Sequence, residues 1–489
     1  GQLGVALATS GPGATNLVTG LATALFDSIP VLALTGQVST QLLGTDAFQE
    51  LDITGVTLPI TKHNYRVHAA EEVVPVLREA VALATSGRPG PVLVDLTREA
   101  QTGLATLDWE GAAPVRHQRH LPASPRHEDI QRLASWIDAA ERPLILAGHG
   151  VLLAGASPRL LEVVHRSDVP VACTLLGLGA FPASDPRHLG LVGTHGLPWV
   201  NQAVQEADLL VGLGLRFDDR VASHPPTFGR SALRVHVDLD ASELGKRVPV
   251  DLALHADVGA VLEELLPYLK PGNRRAWRDR LASLQGDLPP CPVDRLTPEV
   301  ALRELNRQAP EALVVTDVGQ HQMWEAQVWR HERPNSLLTS GGLGTMGFAL
   351  PAALGAKLAR PEAEVWVVVG DGGLQMNVQE LATLRQEGVK VDIALLNNGT
   401  LGMVRQLQTL YYGDRRSGVV LSHPDFQALA LAYGLQARQV TTPQEATQAV
   451  AWARSEPGPC LLEFLLDPEA LVLPAVPPGR PLDEMILTR

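Results

Sequence analysis

Two unbroken apolar runs that end in turn residues constrain this chain more than anything else in it. Val365-Trp-Val-Val-Val369 leads straight into Gly370-Asp-Gly-Gly373, and Val391 to Leu396 leads into Asn397-Asn-Gly399. A β-branched run bounded by glycine is the pattern of a strand buried on both faces, as a parallel α/β sheet requires. Helical spacing from Asn377 to Gln386 supplies the crossover between them. Gly-Asp-Gly-Gly then reads as the tight turn off the first strand's carboxyl end. The second strand delivers Asn397 and Asn398 to the same edge, where open parallel sheets bind ligands.

Asp371 and Asn398 offer two hard oxygens there, one charged and one neutral. A small octahedral cation such as Mg2+ takes one or two carboxylates, some waters and the phosphate oxygens of its ligand. The glycines beside Asp371 let backbone N–H groups approach a phosphate. Gly-Asp-Gly alone is more often a plain turn. Asn-Asn 27 positions after Gly370, at the end of a second buried strand, favours a phosphate held with a cation.

Gly-Asp-Gly followed at this spacing by Asn-Asn resembles the diphosphate–Mg2+ motif of thiamine-diphosphate enzymes. Further segments narrow the resemblance to the acetolactate (acetohydroxyacid) synthase large catalytic subunits. These are Gly44-Thr-Asp-Ala-Phe-Gln-Glu50, Ile60-Thr-Lys-His-Asn-Tyr65, Arg216-Phe-Asp-Asp-Arg-Val221, Ser340-Gly-Gly-Leu-Gly-Thr-Met-Gly347 and Leu401-Gly-Met-Val-Arg-Gln406. The resemblance spans essentially the whole chain. It implies thiamine diphosphate, Mg2+ and FAD as cofactors, with the flavin structural. It also implies decarboxylation of pyruvate and transfer of the two-carbon unit to pyruvate or 2-oxobutyrate, in branched-chain amino acid biosynthesis.

Periodicity and composition divide the chain. Residues 1–107 alternate strands (Val5–Ala8, Val31–Leu34, Val92–Leu96) with helices (Ala14–Leu25, Glu71–Thr85), an α/β pattern. Residues 108–129 read as a linker. A second α/β unit, 130–270, has strands at Pro143–Ala147, Val169–Thr174, Leu209–Leu213 and Leu233–Asp238. Residues 271–298, rich in Pro and Arg, read as a second linker. The third unit, 299–470, has strands at Leu313–Asp317, Val365–Val369, Val391–Leu396 and Cys460–Leu465. A Pro-rich tail without periodicity covers 471–489 and is expected to drape over the surface or the active-site entrance. The expected fold is α/β, with three doubly wound parallel-sheet domains that the resemblance makes pyrimidine-binding, flavin-binding and diphosphate-binding in turn.

The resemblance implies the following residues. Thiamine diphosphate would meet Pro12 and Asn16 in the first unit, and Val318, Gly319, Gln320, His321, Gly344, Met346, Gly370, Asp371, Gly372, Gly373, Asn398, Thr400, Gly402 and Met403. The cation would lie on Asp371, Asn398 and the backbone oxygen of Thr400. Phe48, Gln49, Arg220, Met403 and Leu407 would shape the reaction pocket. FAD would meet Arg88, Gly148, Gly150, Thr174, Leu175, Thr194, His195, Gly196, Gly212, Gly214, Arg216, Asp238, Asp257 and Val258. Taken alone, Gly148-His-Gly150 is a weak phosphate signal, and Arg216 and Arg220 could equally be paired with Asp218 and Asp219.

Three departures stand out. The family's catalytic glutamate falls about fifteen residues ahead of Gly1, so the chain as given is expected to begin inside its first domain and to be inactive alone. Leu407 stands where the family usually has Trp, and Ser39 where it has Pro, which implies weaker acceptor discrimination and poor inhibition by the herbicides that use that Trp. His149 replaces a glycine. The alternatives are another thiamine-diphosphate decarboxylase or oxidase, and a non-catalytic cofactor-binding homologue.

Composition limits the setting. A net charge of −13 argues against nucleic acid or an anionic membrane surface as partner. Cys173, Cys291 and Cys460 are too few and too scattered for a disulfide framework or a metal spacing, which suits a reducing cytoplasm. No apolar run is long enough for a membrane helix. A homodimer or tetramer is expected, because the family's pyrimidine and diphosphate contacts meet across subunits. A small regulatory subunit is a further possible partner.

Overall fold

The computed structural model describes residues 2–106, 124–285 and 294–488. The chain forms two compact units. One runs to Ala123 and takes in Ser340–Thr345; the other holds Ser124–Thr339 and Met346–Arg489.

The first unit is built on a four-stranded parallel sheet of β1 (Gly4–Ala8), β2 (Val31–Gly36), β3 (His63–Val67) and β4 (Val92–Leu96), in the order β1-β2-β4-β3. The central strands carry the continuous apolar runs, and Leu32, Ala33 and Val92 to Val94 are buried. Helix Ala70–Thr85 packs on β3 and β4.

The second unit holds two six-stranded sheets, both wholly parallel. One contains β5 (Pro143–Ala147), β6 (Val171–Cys173), β7 (His188–Leu191), β8 (Leu209–Leu213), β9 (Leu233–Asp238) and β10 (Leu252–His255), in the order β10-β9-β8-β5-β6-β7. The other contains β11 (Leu313–Thr316), β12 (Leu337–Thr339), β13 (Val365–Gly370), β14 (Asp392–Asn397), β15 (Gln436–Val440) and β16 (Cys460–Leu465), in the order β12-β11-β13-β14-β16-β15. Every residue of β13 and β14 is buried, and apolar side chains on the two faces of this sheet feed separate clusters. Both sheets change winding direction at their centre, β5/β8 and β11/β13, which opens a crevice at the carboxyl edge.

Three expectations need correction. Gly370-Asp-Gly-Gly is not a bare turn: Gly370 caps a short helix that begins at Asp371 and ends at Met376. The stretch 271–298 is not simply a linker, because Arg275–Gln285 is a helix that buries Trp277 and Leu281 against the Pro198–Glu206 helix. Two apolar side chains four apart are the helix's sequence signal, and the surrounding Pro and Arg mask it. The tail does not merely drape, since Val472, Ala475, Val476 and Leu482 are buried. Of the expected linker 108–129, residues 108–123 lie outside those described, as does Cys291, and helix His127–Ala139 begins inside its end. Cys173 and Cys460 are free and buried.

Candidate active site

The carboxyl ends of β11, β13 and β14 meet at the winding switch. Parallel register sets Thr316 beside Val368 and Gly370 beside Leu396, so the residues following each strand converge. They line an open cleft of about 470 Å³, part of it continuous with solvent. Its walls include Val318 to His321, Met346, Gly370 to Gly373, Asn398, Thr400, Gly402 and Met403. Every expected thiamine-diphosphate residue is therefore in one place except Pro12, Asn16 and Gly344, which belong to the other unit.

Side chains pack closely against the glycines of this wall. A Cβ on Gly370 would sit 3.0 Å from His321 Nδ1, and one on Gly372 would sit 2.7 Å from Leu401. At φ +154°, Gly319 holds backbone that L side chains rarely adopt.

Asp371 is the electrostatic centre. It is only 2% exposed; one oxygen accepts the Gly372 N–H at 3.0 Å, while Oδ2 has no partner. Burial pushes its carboxyl up to about 6, because the charged form is costly away from water. An ionised carboxylate left so is stabilised by a cation, and its neighbours carry oxygens that suit a hard one: Asn398 and Thr400 line the same cavity. Among the described residues no group of three or more His, Cys, Asp or Glu gathers into a metal cluster.

His321 is buried, and its Nε2 is unpartnered. Burial holds its pKa down at about 4, against the opposing pull of Asp317, so the ring is neutral near pH 7. Such a ring can donate one hydrogen bond to a phosphate oxygen. Asp317 went unnoticed in the sequence, although it organises the wall: its carboxylate accepts from the N–H groups of Val318, Gly347 and Ala349 at 2.9–3.0 Å. Those bonds fix the segment that carries Met346. Trp324, Leu396, Leu401 and Val404 complete the lining.

Leu407 lies one helical turn beyond Met403 on helix Gly402–Tyr411 and is 40% exposed. In the other unit, Gly11 (φ +59°) turns the chain into a short helix that opens at Pro12 and is capped by Asn16. The Gly44–Glu50 loop packs on that turn through Gln49, which itself adopts φ +60°. Phe48 is 89% exposed. Segment Ser340–Thr345, carrying Gly344 (φ +77°), is tied to this unit by Gly342 N–H to Asp27 at 2.7 Å and by a Thr345–Thr23 hydroxyl bond at 2.7 Å.

The residues expected at a flavin gather along the carboxyl edge of the other six-stranded sheet. Gly148 and Gly150 follow β5, Thr174 and Leu175 follow β6, and Thr194 to Gly196 follow β7. Gly212 and Gly214 lie at the end of β8, Asp238 ends β9, and Asp257 with Val258 follows β10. The glycines have a packing reason that does not involve a ligand. A Cβ on Gly148 would lie 2.3 Å from Gly214 O, and one on Gly150 would lie 2.6 Å from Gly214 Cα. The Gly148 and Gly150 amides are already bonded to Leu213 O and Gly214 O, so they have no N–H to spare for a phosphate. What the turn offers a ligand is an edge bare of side chains. Asp257 caps helix Val258–Leu265. Both alternative ion pairs are present, Arg216–Asp218 at 3.7 Å and Arg220–Asp219 at 3.3 Å. In the first unit, Arg88 donates to Ser28 Oγ at 2.8 Å.

Comparison with known proteins agrees with this layout. The N-terminal TPP binding, central and C-terminal TPP binding domains of thiamine pyrophosphate enzymes match residues 1–56, 130–265 and 317–464. The probable acetolactate synthase large subunit of Methanocaldococcus jannaschii is 43% identical over 502 residues, covering 99% of this chain and 85% of the relative. The chain belongs to the acetolactate synthase family of thiamine pyrophosphate enzymes. Acetolactate synthase isozyme 2 large subunit of Escherichia coli is 43% identical, covering 99% of this chain and 88% of that one. An acetolactate synthase of Mycobacterium bovis is 44% identical, covering all of this chain and 82% of the relative. Membership of the family and its three parallel-sheet α/β domains stand as the sequence motifs implied. Among the described residues no helix is long and apolar enough to cross a membrane.

Proposed function

We propose that this protein is an acetolactate synthase catalytic subunit that decarboxylates pyruvate and transfers the two-carbon unit to pyruvate or 2-oxobutyrate. The observation that carries the reading is the buried Asp371 carboxylate, with an unpartnered oxygen, lining one cavity with Asn398 and Thr400 at a parallel-sheet switch point. Residues 1–107, 130–270 and 299–470 take the pyrimidine, flavin and diphosphate roles.

Bound thiamine diphosphate supplies a nucleophilic carbon and an electron sink for the charge left when CO2 departs. The chain's residues hold and screen it. Asp371, Asn398 and the Thr400 carbonyl grip Mg2+, and the glycine wall with neutral His321 receives the diphosphate. Met346, in the cavity wall, would prop the cofactor. Met403 and Leu407 border the acceptor, and the apolar lining keeps out water whose proton would divert the two-carbon unit to acetaldehyde. Gln49, Phe48 and Arg220 act on the 2-oxoacids. FAD lies along the carboxyl edge of β5 and β8, near Arg216, in a structural role. The relatives are named large subunits, which supports a small regulatory partner; a homodimer is the minimum assembly. A reducing cytoplasm suits the free thiols.

The test is acetolactate formation by the full-length gene product from pyruvate, with and without thiamine diphosphate and Mg2+, beside a direct binding titration of both. Cofactor-dependent acetolactate is expected. Acetaldehyde as the only product would move the assignment to a simple decarboxylase, and binding without turnover would move it to a non-catalytic homologue.

A further inference from the structure

A carboxamide has an oxygen end and an NH2 end of nearly the same shape, and only its partners decide which way it points. Three buried carboxamides run in series from Gln406, behind the cavity, to Gln320 and Asn398 in its wall. Gln406, Gln320 and Asn398 are 1%, 3% and 9% exposed, so water does not set their polarity.

The series begins at the tail, where backbone groups have fixed polarity. Val472 N–H can only donate, and it donates to Gln406 Oε1 at 2.7 Å; Gln406 Nε2 donates back to Val472 O at 3.0 Å. Gln406 therefore turns its oxygen toward Gln320, which must answer with Nε2 at 2.9 Å; the same NH2 also donates to Ala470 O at 3.0 Å. Gln320 is left with Oε1 facing Asn398, which answers with Nδ2 at 3.1 Å. Asn398 Oδ1 is thereby directed to the other side, where Thr400 N–H and Oγ1 meet it at 3.2 and 3.1 Å. Thr400 reinforces the orientation locally through two long bonds. The shorter bonds come from the tail.

We propose that Gln406 is a positioning residue: with the tail segment 470–472 it fixes the polarity of Gln320 and hence of Asn398, so that an oxygen and not an NH2 faces the cation. The inference rests on the cation site assigned under Proposed function. The tail is secured on both sides of this contact. Arg405 donates to Ala470 O at 2.6 Å, and beyond it His195 Nδ1 lies 3.2 Å from Pro474 O and Val476 N–H donates to Thr194 O at 2.8 Å. The tail thus runs from the cation site to the loop after β7, and it acts on the cation through two glutamines without touching it.

The test uses Gln406→Met, Val472→Pro and the double variant in the full-length protein. Mn2+ is titrated as the probe at saturating thiamine diphosphate, with free Mn2+ read by electron paramagnetic resonance. Unfolding temperature without metal is recorded alongside, since a merely structural role would move that reading and not the metal affinity. Each single variant is expected to weaken Mn2+ binding about tenfold or more, the range seen when partners of a metal ligand are removed. The double variant should lose no more than either single one, because both cut the same path. Native Mn2+ affinity in a folded single variant, or losses that multiply in the double, would overturn the inference. If Gln406→Met does not fold, Val472→Pro alone decides on the same criterion. Failure of the unsubstituted protein to bind Mn2+ with thiamine diphosphate would instead overturn the cation site itself.

Discussion

Gly402 offers a steric probe of the cavity wall that removes no functional side chain. It opens helix Gly402–Tyr411, where alanine would ordinarily gain up to about 1 kcal/mol in helix propensity. It is not among the positive-φ glycines, so alanine meets no backbone strain. The cost is contact: a Cβ there would lie 2.0 Å from Gln320 Oε1 and 2.8 Å from Asn398 Nδ2. A glutamine tip usually moves aside cheaply. This one is buried and held by three partners, Gln406 Oε1, Ala470 O and Asn398 Nδ2, so moving it breaks bonds. Overpacking costs about 1–3 kcal/mol, and leaving a buried amide unpaired costs about 1–3 kcal/mol more. Both outweigh the propensity gain. Gly402→Ala should therefore lower the unfolding temperature by several degrees and weaken thiamine diphosphate–Mg2+ binding about tenfold, equivalent to about 1.4 kcal/mol. The control is Gly355→Ala in helix Ala349–Ala359, where a Cβ meets nothing within 4 Å; it should be neutral or stabilising by up to about 1 kcal/mol. Differential scanning calorimetry and a cofactor titration read both variants. A Gly402→Ala protein as stable as its parent, with parental cofactor affinity, would refute the reasoning.

Other predictions follow from burial and from the departures at the pocket. Asp371→Asn should weaken Mg2+ binding by more than about 100-fold, beyond the loss expected from a supporting residue. It should also stabilise the metal-free protein above pH 6, because a buried charge is removed; calorimetry with and without Mg2+ checks both signs. Asp392, buried at the start of β14, is raised to about 6 by desolvation despite Lys390 at 3.0 Å. A raised carboxyl contributes stability that is full below the unfolded value near 3.8 and lost as pH climbs through about 6. Asp392→Asn should therefore flatten the fall in unfolding temperature between pH 4 and 6, and an unchanged profile would count against it. Leu407→Trp should raise the share of acetohydroxybutyrate over acetolactate when pyruvate and 2-oxobutyrate compete, and should confer sensitivity to the herbicides that use that Trp; product ratios by chromatography and an inhibition assay check the two effects.

The strands that could be read from the sequence, and those that could not, divide by position in the sheet. β2, β4, β5, β6, β8, β9, β11, β13, β14 and β16 announce themselves as apolar runs, as does β1, the one edge strand that does. β3, β7, β10, β12 and β15 do not, and each of these lies at the edge of its sheet. An edge strand is covered less completely, so it tolerates polar residues: Gln436–Val440 exposes three of its five residues, and His63–Val67 begins His-Asn-Tyr-Arg. Both switch points sit among the central strands. The residues that build the cavity wall were therefore visible, although the full strand order was not.

The tail and Gln406 escaped notice for a different reason. Backbone bonds to side-chain amides leave no hydrophobic period, so residues 471–489 looked patternless while burying Val472 and Val476. One signal was available. On helix Gly402–Tyr411, Met403, Leu407 and Leu410 recur at the spacing of an apolar stripe, and Gln406 falls among them at i+3 from Met403. A buried carboxamide must find partners for both ends. A glutamine on an apolar stripe thus requires polar backbone brought from elsewhere in the chain, and here the nearest supply is the tail. Glycine told the same story twice with different meanings. At Gly148 and Gly150 the missing side chain serves contact between backbones, with the amides already bonded, whereas at Gly370 and Gly372 it keeps a cavity wall clear. A Gly-x-Gly turn is the same string in both places; what separates the two is what a Cβ would meet, the backbone of Gly214 in one case and the side chains of His321 and Leu401 in the other.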